Sequence, residues 1–330
     1  MQLSDFDYQL PAELIAQYPL KERDSARLLV LERQTGKIRH SVFKEIGEFL
    51  HQNDLLALND TKVVTCRLKG KKRTGGRVEL LLISRKQGLV FRSLIQPSRT
   101  KVGEKIFFDN EEISAIVSAK NEITFYADNA EAVYNLGVIP LPPYIKREPE
   151  ELDVVYYQTV YAAKDGAIAS PTAGLHFTPQ LLEQLKSRGI GTAYLTLQVG
   201  YGTFKPVKIE DITAHKMEPE NFCIPDGMID KIKVAKDKFA RIVAVGTTSL
   251  RALETFASSG AKEGETSLFI YPGYKFKLAD CLLTNFHLPR TTLFMLACAF
   301  GGEKIIKQAY QEAIKEKYRF YSYGDAMLIL

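Results

Sequence analysis

The chain is poor in the residues that most often hold metals. Its four cysteines (Cys66, Cys223, Cys281 and Cys298) lie far apart, and its five histidines are spread along the whole length. No group of them has the spacing of a zinc site, so no metal is expected, and thiols placed this way read as reduced and buried. Long apolar runs are also missing. The best of them, Leu293 to Phe300, is much shorter than a membrane span, so no membrane association is expected. The first residues are polar and acidic rather than basic and then apolar, which argues against a signal peptide and for a cytoplasmic location. There is no internal repeat and no low-complexity tract. Gly200-x-Gly202 lacks the third glycine of a dinucleotide fingerprint, because Lys205 holds that place. No Walker pattern occurs either, so a nicotinamide enzyme is a poor reading.

One local absence is more telling. Between Asp60 and Glu79 there is no acidic residue, while Lys62, Arg67, Lys69, Lys71, Lys72, Arg73 and Arg77 all fall there. Gly75-Gly76 would loosen the stretch, which reads as an arm tracking phosphates. A charge run is more often a solvated face, but Arg85, Lys86, Arg92, Arg99, Lys101 and Lys105 continue the bias. The formal net charge of +5 permits a nucleic-acid partner without demanding one.

What is present describes an ordinary globular chain: 330 residues, 45% hydrophobic and 25% charged, long enough for two domains. Arg27 to Leu31 and Ile38 to Phe43 form a hairpin, Phe43 to Leu50 a short helix, and Asp54 to Leu58 an apolar strand ending on Asn59-Asp60-Thr61. From Thr61 to about Tyr134 short β-type runs are punctuated by Gly, Asn, Asp and Lys, the rhythm of a small sandwich or barrel without helices. Pro140-Leu141-Pro142-Pro143 stiffens the way out. From Asp153 onward strands and helices alternate, including a strand over Ser267 to Tyr271. The expected architecture is a mixed-sheet α/β core over residues 1–61 and 145–330, with a small all-β barrel domain inserted at 62–144.

Three turns leave strand-like runs with small residues: Pro171-Thr172-Ala173-Gly174, Val199-Gly200-Tyr201-Gly202 and Val245-Gly246-Thr247-Thr248-Ser249. Turns at the C-terminal ends of strands in an α/β sheet line the ligand crevice. The hydroxyls of Thr247, Thr248 and Ser249 stand at a helix N-terminus, suited to a carboxylate, a phosphate or a ribose hydroxyl, although ordinary capping explains them equally. Thr178 and Pro179 start a helix just after His176 and Phe177. Asn285 and His287 share one face if their segment is extended. Asn285 suits a purine edge or a carboxylate, and His287 suits proton transfer near neutral pH.

Longer blocks occur in order: Tyr157-Gln158-Thr159-Val160-Tyr161-Ala162, Ala169 to Phe177, Gly200-x-Gly202-Thr203-Phe204-Lys205-Pro206-Val207, Val245 to Arg251, Thr284-Asn285-Phe286-His287-Leu288-Pro289 and Tyr318 to Met327. With them the chain resembles, from Asp5-Phe6-Asp7-Tyr8 onward, the S-adenosylmethionine:tRNA ribosyltransferase-isomerases of bacterial queuosine biosynthesis.

The resemblance implies a β-barrel beside an α/β domain, and a consumed co-substrate rather than a bound cofactor. S-adenosylmethionine would give its ribosyl part to the aminomethyl group of 7-aminomethyl-7-deazaguanine at the tRNA wobble position. Adenine and methionine leave, and the ribosyl rearranges to the epoxy-cyclopentanediol of epoxyqueuosine. A base is needed beside the sulfonium and an acid at adenine. His176 and His287 are the candidates, with Asp60 the carboxylate in reserve. Thr172, Gly174, Gly200, Gly202, Thr247, Thr248, Ser249 and Arg251 are expected around the donor. Phe177 is expected to stack on adenine, and Asn59 and Asp60 to meet the amine. Lys71, Lys72, Arg73 and Arg77 are expected on tRNA phosphates, and the chain is expected to act as a monomer. Two positions depart from the family pattern: Gln198 and Glu218 stand where histidine is common, which leaves His176 and His287 as the imidazoles to consider. A tRNA-binding module without chemistry and a methyltransferase are the competing readings.

Overall fold

The computed structural model describes residues 1–200 and 207–330. Strands β1 (Arg27–Glu32) and β2 (Lys37–Val42) form the expected antiparallel hairpin. The stretch after it, Phe43–Glu48, is 3-10 rather than α-helical. Strand β3 (Leu55–Asn59) is buried at every position, as a parallel strand covered on both faces should be.

The chain then leaves the main sheet through β4 (Thr61–Val63). Strands β5 (Arg67–Lys72), β6 (Arg77–Arg85), β7 (Val90–Gln96), β8 (Lys105–Phe107), β9 (Ser114–Ala119) and β10 (Glu122–Tyr126) close a barrel in the order β10-β7-β6-β5-β8-β9. Inward residues such as Leu68, Leu80, Phe91, Ile106 and Ile123 fill it, with the two-residue alternation of half-buried strands. The basic stretch is therefore not a loose arm. Leu68 points inward between Arg67 and Lys69, and Gly70 lets two strands approach closely. A Cβ there would stand 2.7 Å from Ile106 Cγ2 and 2.9 Å from the Phe107 carbonyl oxygen. One helix, α1 (Ala130–Asn135), follows the barrel strands where none was expected. Asn129 caps it and Val133 packs into the barrel core. The chain returns through α2 (Glu151–Tyr156) and β11 (Lys164–Ala167), which pairs in parallel with β4. The outgoing and incoming strands thus lie side by side.

The rest completes one nine-stranded sheet. Its later elements are α3 (Pro179–Ser187), β12 (Gly191–Leu197), β13 (Glu220–Cys223), α4 (Asp226–Asp237), β14 (Ile242–Val245), α5 (Thr247–Ser259), β15 (Glu263–Thr266), β16 (Cys281–Asn285), α6 (Thr292–Gly301), α7 (Glu303–Lys315) and β17 (Ala326–Ile329). The strand order is β15-β13-β12-β3-β14-β16-β17-β1-β2, with β12, β3, β14 and β16 mutually parallel. Alternate residues feed two separate cores. Leu29, Leu31, Ala57 and Ala244 meet α4, α5, α6 and α7 on one face. Leu28, Val30, Leu58 and Val245 meet Phe43, Phe177 and α3 on the other. The strand expected over Ser267 to Tyr271 is absent, because side chains claim this region's backbone. Thr266 Oγ1 accepts from Leu268 N–H at 3.2 Å, and the Leu268 carbonyl accepts from Arg251 Nε at 3.1 Å.

Candidate active-site cleft

Parallel strands carry their C-terminal ends to one edge of the sheet, and a cleft opens there. Its walls come from segments far apart in sequence: Ser170–Ala173, Val199, Gly246–Thr248, Thr284, Asn285 and His287, closed by Tyr144, Leu293, Tyr321 and Ser322. The sequence brings them together for a local reason. β14 ends at Val245, and Gly246 turns with φ of 90°, a left-handed conformation that only glycine adopts freely. Helix α5 begins at once, so Thr247 and Thr248 stand at its N-terminus, where backbone N–H groups lack helical partners and the dipole is positive. β16 ends at Asn285 beside it and presents Thr284, Asn285 and, just past the strand, His287.

His287 is held at both backbone groups. Tyr8 donates its hydroxyl to the His287 carbonyl, and His287 N–H donates to Tyr310 Oη at 3.0 Å. Its Nε2 bonds Thr284 Oγ1 at 2.8 Å, and Nδ1 has no partner among the described residues. Burial lowers its pKa from 6.5 to about 3, so the ring is neutral throughout the physiological range.

His176 sits differently. It does not line this cleft but a smaller one behind it, with Arg23, Tyr156 and Tyr323. Its Nε2 is 3.2 Å from Asn285 Nδ2, and its ring lies 4.9 Å from that of Phe43. Burial first, with the charges of Arg23 and Arg319 adding to it, lowers its pKa to about 4. Neither imidazole is therefore poised near neutrality, as the sequence had suggested, because both lie in low-dielectric surroundings without a carboxylate beside them.

Several expected site residues lie elsewhere. Phe177 is fully buried, edge-on to Phe43 at 5.0 Å, and has no free face for an adenine ring. Asn59 is buried and fully used: Oδ1 accepts from the N–H groups of Thr61 and Leu197, and Nδ2 donates to the Leu197 carbonyl and to Thr248. Asp60 is off the cleft, its carboxylate accepting the Thr196 hydroxyl at 2.6 Å. Arg251 is buried in an ion pair with Glu220 beneath the sheet edge. Ser249 points into the protein rather than the cleft, its Oγ buried without a partner among the described residues. Gly174 is a packing residue, because a Cβ there would meet the Tyr161 hydroxyl at 2.1 Å. Gly200 donates its N–H to Glu220 at 2.8 Å, and Gly202 lies outside the described residues. Gln198, at one of the departing positions, donates to the Asp165 carbonyl at 3.2 Å.

A family profile described as queuosine biosynthesis protein matches residues 3–329. The chain belongs to this family. Its relatives include the S-adenosylmethionine:tRNA ribosyltransferase-isomerases of Sulfurihydrogenibium sp., 49% identical, and of Aquifex aeolicus, 48% identical, each aligned over 100% of both chains. A crystal structure of S-adenosylmethionine tRNA ribosyltransferase from Thermotoga maritima is 37% identical and superposes with a TM-score of 0.59, over 99% of this chain and 100% of that one.

In this family member, sequence reasoning passed over Tyr144, Ser170, Tyr321 and Ser322. Tyr144 and Ser322 are bonded through their hydroxyls at 2.5 Å, and the rings of Tyr144 and Tyr321 lie 3.8 Å apart. Tyr321 adopts φ of 73°, a strained value for a residue with a side chain. Tyr321 and Ser322 lie inside the family block Tyr318 to Met327, which was the one signal available for them. Among the described residues no three His, Cys, Asp or Glu side chains are grouped around a possible ion, and no helix is long and apolar enough to cross a membrane.

Proposed function

We propose that this chain transfers and isomerises the ribosyl moiety of S-adenosylmethionine onto 7-aminomethyl-7-deazaguanine at the tRNA wobble position, giving epoxyqueuosine-tRNA with release of adenine and methionine. The observation that carries this is membership, over residues 3–329, of a queuosine biosynthesis family whose full-length relatives bear that enzyme's name. The donor is consumed as a co-substrate. The setting is the cytoplasm, and the working form is a monomer.

Two parts of this reading fall on the cleft, a donor site and a base. Thr247 and Thr248, at the start of α5, hold the polar parts of the donor, with Thr172 opposite. His287, neutral and with Nδ1 unbonded among the described residues, takes the proton from the carbon beside the sulfonium. The Thr284 hydroxyl can donate or accept, so it can support either tautomer of the ring. The barrel contributes a phosphate-binding face through Lys71, Arg73 and Arg77, all exposed. Lys71 is loosely paired with Asp109 at 3.6 Å, while Lys72 is largely buried and bonded to Glu104 at 2.9 Å.

The test is incubation with S-adenosylmethionine and tRNA carrying the modified base, followed by chromatography of the small molecules and mass analysis of the tRNA. Adenine and methionine in equal amounts support the reading. S-adenosylhomocysteine would make the chain a methyltransferase, and binding without products would make it a tRNA-binding module.

A further inference from the structure

Asn285 was read from the sequence as a group for a purine edge or a carboxylate. The fold removes the carboxylate from that choice. Asn285 is 2% exposed and lines the cleft. Its Nδ2 faces three acceptors: His176 Nε2 at 3.2 Å, the Tyr321 carbonyl at 3.1 Å and the Asp325 carbonyl at 3.4 Å. Turning the amide over would set its oxygen against two carbonyl oxygens, which can only accept, so the orientation is fixed. The opposite edge, Oδ1, is buried and has no hydrogen-bond partner among the described residues. A buried amide oxygen left unpaired costs free energy that a ligand can recover.

We infer that Asn285 Oδ1 is a preset acceptor on the cleft floor for an N–H donor of the substrate, and that His176 is a positioning residue that holds this amide rather than a base. His176 lies off the cleft, in the smaller pocket with Arg23, and its Nε2 accepts from the Asn285 amide, so that nitrogen is not available to the cleft. The site rejects a carboxylate at this point, since two acceptors would face each other. It takes an amine or amino group. This rests on reading the cleft as the substrate site, and three groups of the proposed substrates share the chemistry: the adenine amino group, the ammonium of the methionine part, and the aminomethyl group of the tRNA base.

Calorimetric binding to the full chain separates them without relying on turnover. The probes are S-adenosylmethionine, an analogue with hydrogen in place of the adenine amino group, an analogue without the α-ammonium, and anticodon stem-loops bearing 7-aminomethyl- or 7-cyano-7-deazaguanine. One of these N–H deletions is expected to weaken binding by roughly 10- to 100-fold in the parent protein and by much less in Asn285→Ala. The deletion that does so names the group. His176→Phe is expected to reduce the same discrimination while leaving the pH dependence of adenine release unchanged, as suits a residue that does not exchange the proton. The inference is overturned if no deletion weakens binding to the parent protein by more than about twofold. It is equally overturned if folded Asn285→Ala discriminates as the parent does. The parent measurements stand even if the variants do not fold. Failure to release adenine would strike the proposed reaction and leave these binding results to be judged separately.

Discussion

Asn59 Nδ2 donates to Thr248 Oγ1 at 3.1 Å, which ties the end of β3 to the first turn of α5. The same side chain accepts from the Thr61 and Leu197 N–H groups. Asn59 is thus the bracket that keeps three strand ends and a helix start in register behind the cleft. Asn59→Ala leaves buried N–H groups unpaired and is expected to destabilise the fold by about 2–4 kcal/mol. Thermal unfolding measures this. Thr248→Val keeps the bracket's size and is expected to be milder for stability, but to weaken S-adenosylmethionine binding in calorimetry.

The two buried histidines make the fold sensitive to acid. Burial lowers His176 to about 4 and His287 to about 3, against an ordinary 6.5. As pH falls below 6.5 the unfolded chain takes up these protons first. The stability is therefore whole above pH 6.5 and declines toward the folded values, each histidine adding about 1.4 kcal/mol per pH unit. Urea unfolding at pH 7.5, 6.0 and 5.0 is expected to show a steeper loss for the parent chain than for His176→Gln or His287→Gln. Equal slopes would mean that neither ring is held neutral by the fold.

For the chemistry, His287→Gln is expected to slow single-turnover adenine release by about 10²–10⁴-fold while donor binding survives. No ionisation of this histidine is expected in the rate profile between pH 5 and 8, because its pKa lies near 3. A profile whose inflection near neutrality vanishes in His287→Gln would show the ring to be more basic than its surroundings allow.

Arg251 and Glu220 form a buried ion pair under the cleft edge, each less than a twentieth exposed. Removing one partner strands the other charge, so Arg251→Met is expected to cost about 3–5 kcal/mol. The double change Arg251→Met with Glu220→Leu is expected to recover much of that loss. Chemical denaturation of the two variants beside the parent chain checks the ordering.

On the barrel, Arg73→Ala and Arg77→Ala together are expected to weaken tRNA binding and to reduce its salt dependence by roughly one unit of slope per lost phosphate contact. Lys72→Ala is expected to act on barrel stability instead, because its ammonium is committed to Glu104. Filter binding from 50 to 200 mM salt distinguishes the two behaviours; an unchanged slope in the double variant would remove the barrel's basic edge from the interface.

Much of this architecture was legible because it depends on local pattern. The β1–β2 hairpin and α3 with its Thr178 cap follow from turn chemistry and periodicity. So did the turns at Gly246 and Pro171, which do meet at the cleft. What could not be read were facts set by distant partners. Phe177 looked like a stacking platform until Phe43 packed against it. Asn59 and Arg251 looked like ligand groups, but Leu197 and Glu220 claim them, and no local signal announces either partner. The basic stretch looked mobile because charge hides the inward alternation of Leu68 and Gly70.

Strand β17 lies between β16 and β1, and Arg27 N–H is held by Asp325, 298 residues further on. The β1–β2 hairpin is translated early, yet among the described residues it joins the sheet through a strand that leaves the ribosome long afterwards. During synthesis its apolar edge must wait, shielded by little more than Phe43 and Ile46. Pairing residues so distant in sequence raises contact order, so this part of the sheet is expected to close late. A translating ribosome halted before Ala326 would carry a chain whose barrel can already be formed while its main sheet still exposes an open edge at β16, a natural point of capture by a chaperone.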